Sequence, residues 1–152
     1  MDTILTLHDL VRWLILLFGF LTVITAMLGL ASKSPYSKLA DKSNLLFMIL
    51  FDIQVVFGFI LFFEKGWFDH LKHIGDFMKD SLVRFFSLEH WLLMLIAWIL
   101  VHAGRTAVKK APDAQSKHRK MLVYFGIALL LILIAIPWPF REAVARPWFR
   151  WF

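Results

Sequence analysis

Residues 121–139 read Met121-Leu-Val-Tyr-Phe-Gly-Ile-Ala-Leu-Leu-Leu-Ile-Leu-Ile-Ala-Ile-Pro-Trp-Pro139 and carry no charged side chain. A run of this length covers roughly 28 Å as a helix, against a bilayer hydrocarbon core of ~30 Å. It therefore predicts a membrane span. Two more runs of similar length lie upstream, Leu10 to Leu30 and Leu45 to Phe63. Between them and the last run lies a shorter one, Trp91 to Val101, which reaches only ~16 Å. To cross, this third span must take in Glu89 and His90 at one end and His102 and Arg105 at the other. Charged groups at span margins either snorkel to the interface or face the bundle interior.

The whole composition agrees. Of 152 residues 60% are hydrophobic, above the half expected of a soluble domain, and the excess is gathered into these runs. The expectation is an all-α integral membrane protein over residues 1–152, one domain, with four transmembrane helices in an up-down-up-down bundle. No cysteine is present, which excludes disulfides, iron–sulfur clusters, thiolate-ligated haem and covalent haem attachment. The formal charge of +6 is read as topology and lipid contact, with no nucleic-acid partner. The first run follows Asp2 and Asp9 without a basic segment or small-residue cleavage site, so it is expected to stay as a span.

Lys33, Lys38 and Lys42 lie between spans one and two. Arg105, Lys109, Lys110, Lys117, Arg119 and Lys120 lie between spans three and four. The dense second cluster favours both loops on the cytoplasmic side of a bacterial inner membrane, with both termini periplasmic. On the other side, Trp67, Leu71, Ile74, Met78 and Leu82 recur at helical spacing among Asp69, Lys72, His73, Asp76, Lys79 and Asp80. This predicts a short amphipathic helix on the interface between helices two and three. The tail from Arg146 to Phe152 alternates arginine with aromatics and reads as an interfacial anchor.

Polar residues inside spans are costly and are the candidates for chemistry. His8 shares a helical face with Arg12, Ile15, Gly19, Thr22 and Ala26, a narrow stripe suited to helix contacts. His90 shares its face with Met94, Ala97 and Val101. The two histidines stand at similar depth on spans one and three and are placed to ligate one iron axially. His102 lies ~18 Å further along span three and about 120° around it, toward Trp91 and Trp98. With His118 it is the candidate for a second cofactor, although His118 inside Lys117-His118-Arg119-Lys120 also reads as an interfacial anchor. His70 and His73, near Asp69 and Asp76, read as a solvated face. Asp52, mid-span, must find a partner or give up its charge. Thr22, Thr25, His102 and Arg105 are within its reach, and it is a candidate proton acceptor near a quinone. Arg12 is read as partner either of a haem propionate or of Glu89.

These residues carry a resemblance. Leu7-His8 with Arg12-Trp13, Arg84-Phe85 with Glu89-His90, His102, Lys117-His118 and Ile136-Pro-Trp-Pro-Phe140 resemble a group of small four-helix bacterial membrane proteins, common in Bacteroidota, labelled "cytochrome B". The resemblance covers nearly the whole chain. It implies haem b and electron transfer. Some relatives carry a histidine in span two where this chain has Asp52, ahead of Gln54. The expected function is a membrane-embedded b-type haem protein exchanging electrons with a quinone or a partner redox subunit. The alternative is a non-catalytic membrane subunit that supports a larger complex, beside partner subunits or a second copy of the chain. A transporter fits least, because four unbroken helices leave little room for alternating access.

Overall fold

The computed structural model describes residues 2–72, 75 and 78–149. It is all-helical, with no strand among the described residues. Four helices are long and apolar enough to cross a membrane: α1 (Asp2–Ala31), α2 (Lys38–Glu64), α4 (Ser81–Lys109) and α5 (Ala114–Ala135). Four such helices in one chain point to a multi-pass membrane protein. A short α3 (Trp67–His70) lies between α2 and α4.

The helix ends follow from local chemistry. α1 closes where Lys33 turns left-handed (φ 51) and Ser34 N–H reaches back to the Gly29 carbonyl at 3.1 Å. Ser37 caps α2 through its hydroxyl, which accepts from Ala40 N–H at 3.1 Å. Asp80 caps α4, accepting from the N–H groups of Leu82 and Val83. Asp113 caps α5, accepting from Ser116 N–H at 2.8 Å. Within α4, residues Phe85–Glu89 form one π-helical turn immediately before His90, a distortion common at functional sites. α4 takes in Glu89, His90, His102 and Arg105, as the third span required.

Two expectations change. The last helix starts earlier than Met121 and ends at Ala135, short of Pro139. Pro137 has no N–H to continue the ladder, and it holds Ile136 extended (ψ 128). The amphipathic segment between α2 and α4 is helical over Trp67–His70 and turns at Leu71 and Lys72. His73, Ile74 and Asp76 lie outside the described residues, as do residues 150–152 of the tail.

α1 packs along α2 and α5, α5 packs along α4, and α2 and α4 meet over a shorter seam. Phe47, Phe51, Ala97, Val101, Met121, Phe125, Ala128 and Ile132 fill the centre. Arg12, Ile15, Gly19, Thr22 and Ala26 are buried. Close approach is built on glycine: a Cβ on Gly104 would stand 2.6 Å from the Cβ of Tyr124. Leu17, Leu28, Phe59, Leu130 and Ile134 point outward, which leaves an apolar exterior suited to lipid.

Candidate functional site

α1 and α4 bring His8 and His90 together. Their ring centres are 6.4 Å apart with the planes tilted by 58°. Two imidazoles that each give one nitrogen to a shared metal ion hold their centres roughly 6 Å apart, given metal–nitrogen distances of ~2.0–2.1 Å. Phe85 and Phe86 pack 5.7 and 6.1 Å from the His90 ring and make that side apolar. Gly58 of α2 faces the other imidazole: a Cβ there would lie 3.6 Å from His8 Nε2. A Cβ at that distance would be in ordinary contact with the nitrogen.

The end of α5 fixes His90. In a helix the carbonyl of residue i accepts from the N–H of residue i+4. Residues 137 and 139 are prolines, so the carbonyls of Leu133 and Ala135 have no such donor. Both are met by side chains. The Trp138 indole donates to Leu133 at 2.8 Å, and His90 Nδ1 lies 2.8 Å from the Ala135 carbonyl. A carbonyl only accepts, so Nδ1 carries the proton and Nε2 is left as the lone-pair nitrogen. This is the arrangement by which a metal-binding histidine is usually oriented. The prolines of Ile136-Pro-Trp-Pro-Phe140 thus set the tautomer of a side chain on another helix.

Two buried polar atoms near this pair, one on α2 and one on α4, have no partner among the described residues. Gln54 donates through Nε2 to the His8 carbonyl at 2.9 Å, leaving Oε1 unpaired. Ser87, inside the π-turn, is fully buried with an unpaired hydroxyl, while its carbonyl accepts from Trp91. An unmet buried polar atom costs about 1–3 kcal/mol and calls for an explanation.

Arg12 does not pair with Glu89. Arg12 Nη2 bridges Asp9 Oδ1 (2.9 Å) and the carbonyl of Trp148 (2.8 Å), and Glu89 takes Arg84 at 2.7 Å. Trp13 also donates to Trp148 and stacks 5.1 Å from Phe149. The Arg12-Trp13 pair therefore clamps the described part of the tail onto α1.

Asp52 is shared between two residues of α4. Its Oδ1 accepts from the Trp98 indole at 2.7 Å and from His102 Nε2 at 2.8 Å. The Trp98 and His102 rings lie 4.5 Å apart. Of the other expected partners, Thr22 and Thr25 donate to carbonyls of their own helix. Arg105 goes elsewhere, to Asn44 Oδ1 at 2.5 Å and Asp41 Oδ1 at 2.7 Å. Asn44, which sequence reasoning missed, is fully buried and also donates to Tyr36 Oη (2.8 Å) and the Ala40 carbonyl (2.6 Å). Burial pushes the Tyr36 phenol above its usual value. In the sequence Asn44 follows the polar run Asp41-Lys42-Ser43 and stands just before the apolar run that opens at Leu45, so nothing local marks it as buried.

His118 is buried against Gly29 of α1, where a Cβ would collide with the imidazole, and 5.5 Å from the Tyr36 ring. Its nitrogens have no partner among the described residues. It turns toward α1 while His102 turns toward α2, so the two are not brought together. His70 is exposed beside Trp67. No cluster of three or more metal-binding side chains occurs among the described residues. No family model, no curated protein and no solved structure matches the chain, so its own geometry carries the functional reading.

Proposed function

We propose that this chain is a membrane-embedded b-type haem protein that exchanges electrons with a quinone or a partner redox subunit. One observation carries the reading: two imidazoles from different helices, 6.4 Å apart, with His90 oriented through Nδ1 by the Ala135 carbonyl. The residues fit the group. His8 and His90 are neutral-nitrogen donors of the kind that hold haem iron, and Phe85 and Phe86 are apolar neighbours suited to a porphyrin face. Ser87 Oγ and Gln54 Oε1 are buried polar atoms in search of a partner. Haem supplies a one-electron couple when bound. His8 and His90 would hold the iron, Phe85 and Phe86 would keep water away, and the Ala135 carbonyl would set the basicity of His90.

The same reading places the helices up-down-up-down in a bacterial inner membrane. Lys109, Lys110, Lys117, Arg119 and Lys120 favour the cytoplasmic side, which puts the histidine pair toward the periplasm along with both termini. The connection from Glu64 to Ser81 then lies on the outer interface, where Trp67 stacks 5.2 Å from Phe86.

Purified protein expressed with haem supplementation should show a Soret band and about one iron per chain. Protein free of both, with its helical content intact, would defeat the proposal.

A further inference from the structure

The Asp52–His102–Trp98 cluster does different work from the buried pair. Asp52 stands 14 residues past Lys38 and 12 before Glu64, so ~18–21 Å from either end of α2 and inside the hydrocarbon layer. Yet the Asp52 and His102 side chains are 41% and 37% exposed. Their outward neighbours are apolar and exposed: Ile49 and Val56 on α2, Leu95 and Ile99 on α4. A carboxylate and an imidazole therefore open onto a lipid-facing surface, where polar groups without partners are strongly disfavoured.

The unfilled atoms define what would cover them. Asp52 Oδ1 is taken twice, by Trp98 and His102. Those bonds use the only indole N–H and the Nε2 proton of the imidazole. Asp52 Oδ2 and His102 Nδ1 are left, and both are acceptors once Nε2 holds the proton. The complementary occupant must donate hydrogen bonds, dissolve in hydrocarbon and bring a flat head to the Trp98 edge. A phospholipid head group sits too far from the midplane. A second copy meeting the same face would bring acceptors to acceptors, since Ile49, Val56, Leu95 and Ile99 add no donor.

We infer that the seam between α2 and α4 binds the head of a membrane-dissolved hydroquinone, whose hydroxyl donates to Asp52 Oδ2, with His102 Nδ1 as a second acceptor. The choice of a hydroquinone over another lipid-soluble phenol rests on the redox reading above. The site itself rests only on the unfilled acceptors.

The test is equilibrium binding to the full chain in lipid nanodiscs, using a decyl-substituted hydroquinone and its di-O-methyl ether as probes. The ether keeps the shape and lacks the donors. Wild type should bind the hydroquinone at least tenfold more tightly than the ether, and D52L should erase that preference. Equal affinity for the two probes in wild type overturns the inference, and this comparison needs no variant to fold. A preference that survives in a folded D52L also overturns it, as does cross-linking of two copies through α2 and α4 that is unaffected by excess hydroquinone. Loss of the Soret band with the preference intact would defeat only the haem reading.

Discussion

The two ends of α5 handle the same problem in opposite ways. At its start the free N–H groups are met by the α5 sequence itself: Asp113 accepts from Ser116 N–H and from the Ser116 hydroxyl. Nearby, Arg105, Asn44, Asp41 and Tyr36 bond one another across helices, while Arg105 Nε and both nitrogens of His118 have no partner among the described residues. At its finish, prolines withhold the donors, and the Ala135 carbonyl is met by His90 from α4. Around that bond two buried polar atoms have no partner among the described residues, Ser87 Oγ and Gln54 Oε1. Unmet polar atoms therefore occur at both ends. The histidine end is assigned the chemistry because there two imidazoles from different helices stand 6.4 Å apart, one of them oriented by a carbonyl.

That contrast is open to a direct exchange of roles. Replacing His90 with Ala should abolish the Soret band of the proposed haem protein, and the Ala135 carbonyl left without its donor should also cost about 1–3 kcal/mol of stability in detergent. Asn44→Leu should cost stability alone. It removes the amide that joins Arg105, Tyr36 and the Ala40 carbonyl, and should cost about 1–2 kcal/mol of stability with the spectrum unchanged. Absorbance and melting curves on both variants decide the matter. If Asn44→Leu removes haem and His90→Ala only lowers the melting temperature, the assignment of the two ends is inverted.

A smaller effect isolates the prolines. In the double variant P137A/P139A the helix can run on, and the new N–H at position 139 competes with His90 for the Ala135 carbonyl. His90 then loses what orients it. Haem affinity should fall about 10–100-fold, the usual consequence of removing such a partner. The single P137A variant leaves Pro139 in place and should change affinity much less. Haem titration of the three proteins measures this directly, and equal affinity for the double variant and wild type would separate the prolines from the site.

The sequence carried the first layer of this. Long uncharged runs are legible because a bilayer demands ~20 apolar residues, and the four helices follow the four runs. The stripe through Arg12, Gly19, Thr22 and Ala26 was legible from helical periodicity. What periodicity cannot carry is pairing across helices. The Arg12–Asp9 pair is no such case, since residues three apart on one helix are neighbours by periodicity alone. The route by which Pro139 frees a carbonyl for His90 crosses from α5 to α4 and leaves no trace in local sequence. Asn44 was hidden for a related reason: its worth comes from Arg105, some sixty positions away.

The start of α5 offers the mildest probe, because its cap depends on pH. Hydrogen bonds from the backbone and side chain of Ser116 hold the Asp113 carboxyl below its usual value. A group whose folded value is depressed stabilises above its unfolded value of about 4, and that contribution disappears as pH falls through the folded one. Amide exchange at Ser116 and Lys117, corrected for intrinsic rates, should therefore stay slow at neutral pH and accelerate only on strong acidification. D113N keeps a capping oxygen without a charge, so its exchange should be flat over the same range. The Ala135 end has no carboxylate in its cap and should show no such transition. Acid-sensitive exchange appearing at Trp138 with the same midpoint would mean that the two ends of the helix open together, and the division between a carboxylate-capped end and a proline-ended one would not describe how this bundle moves.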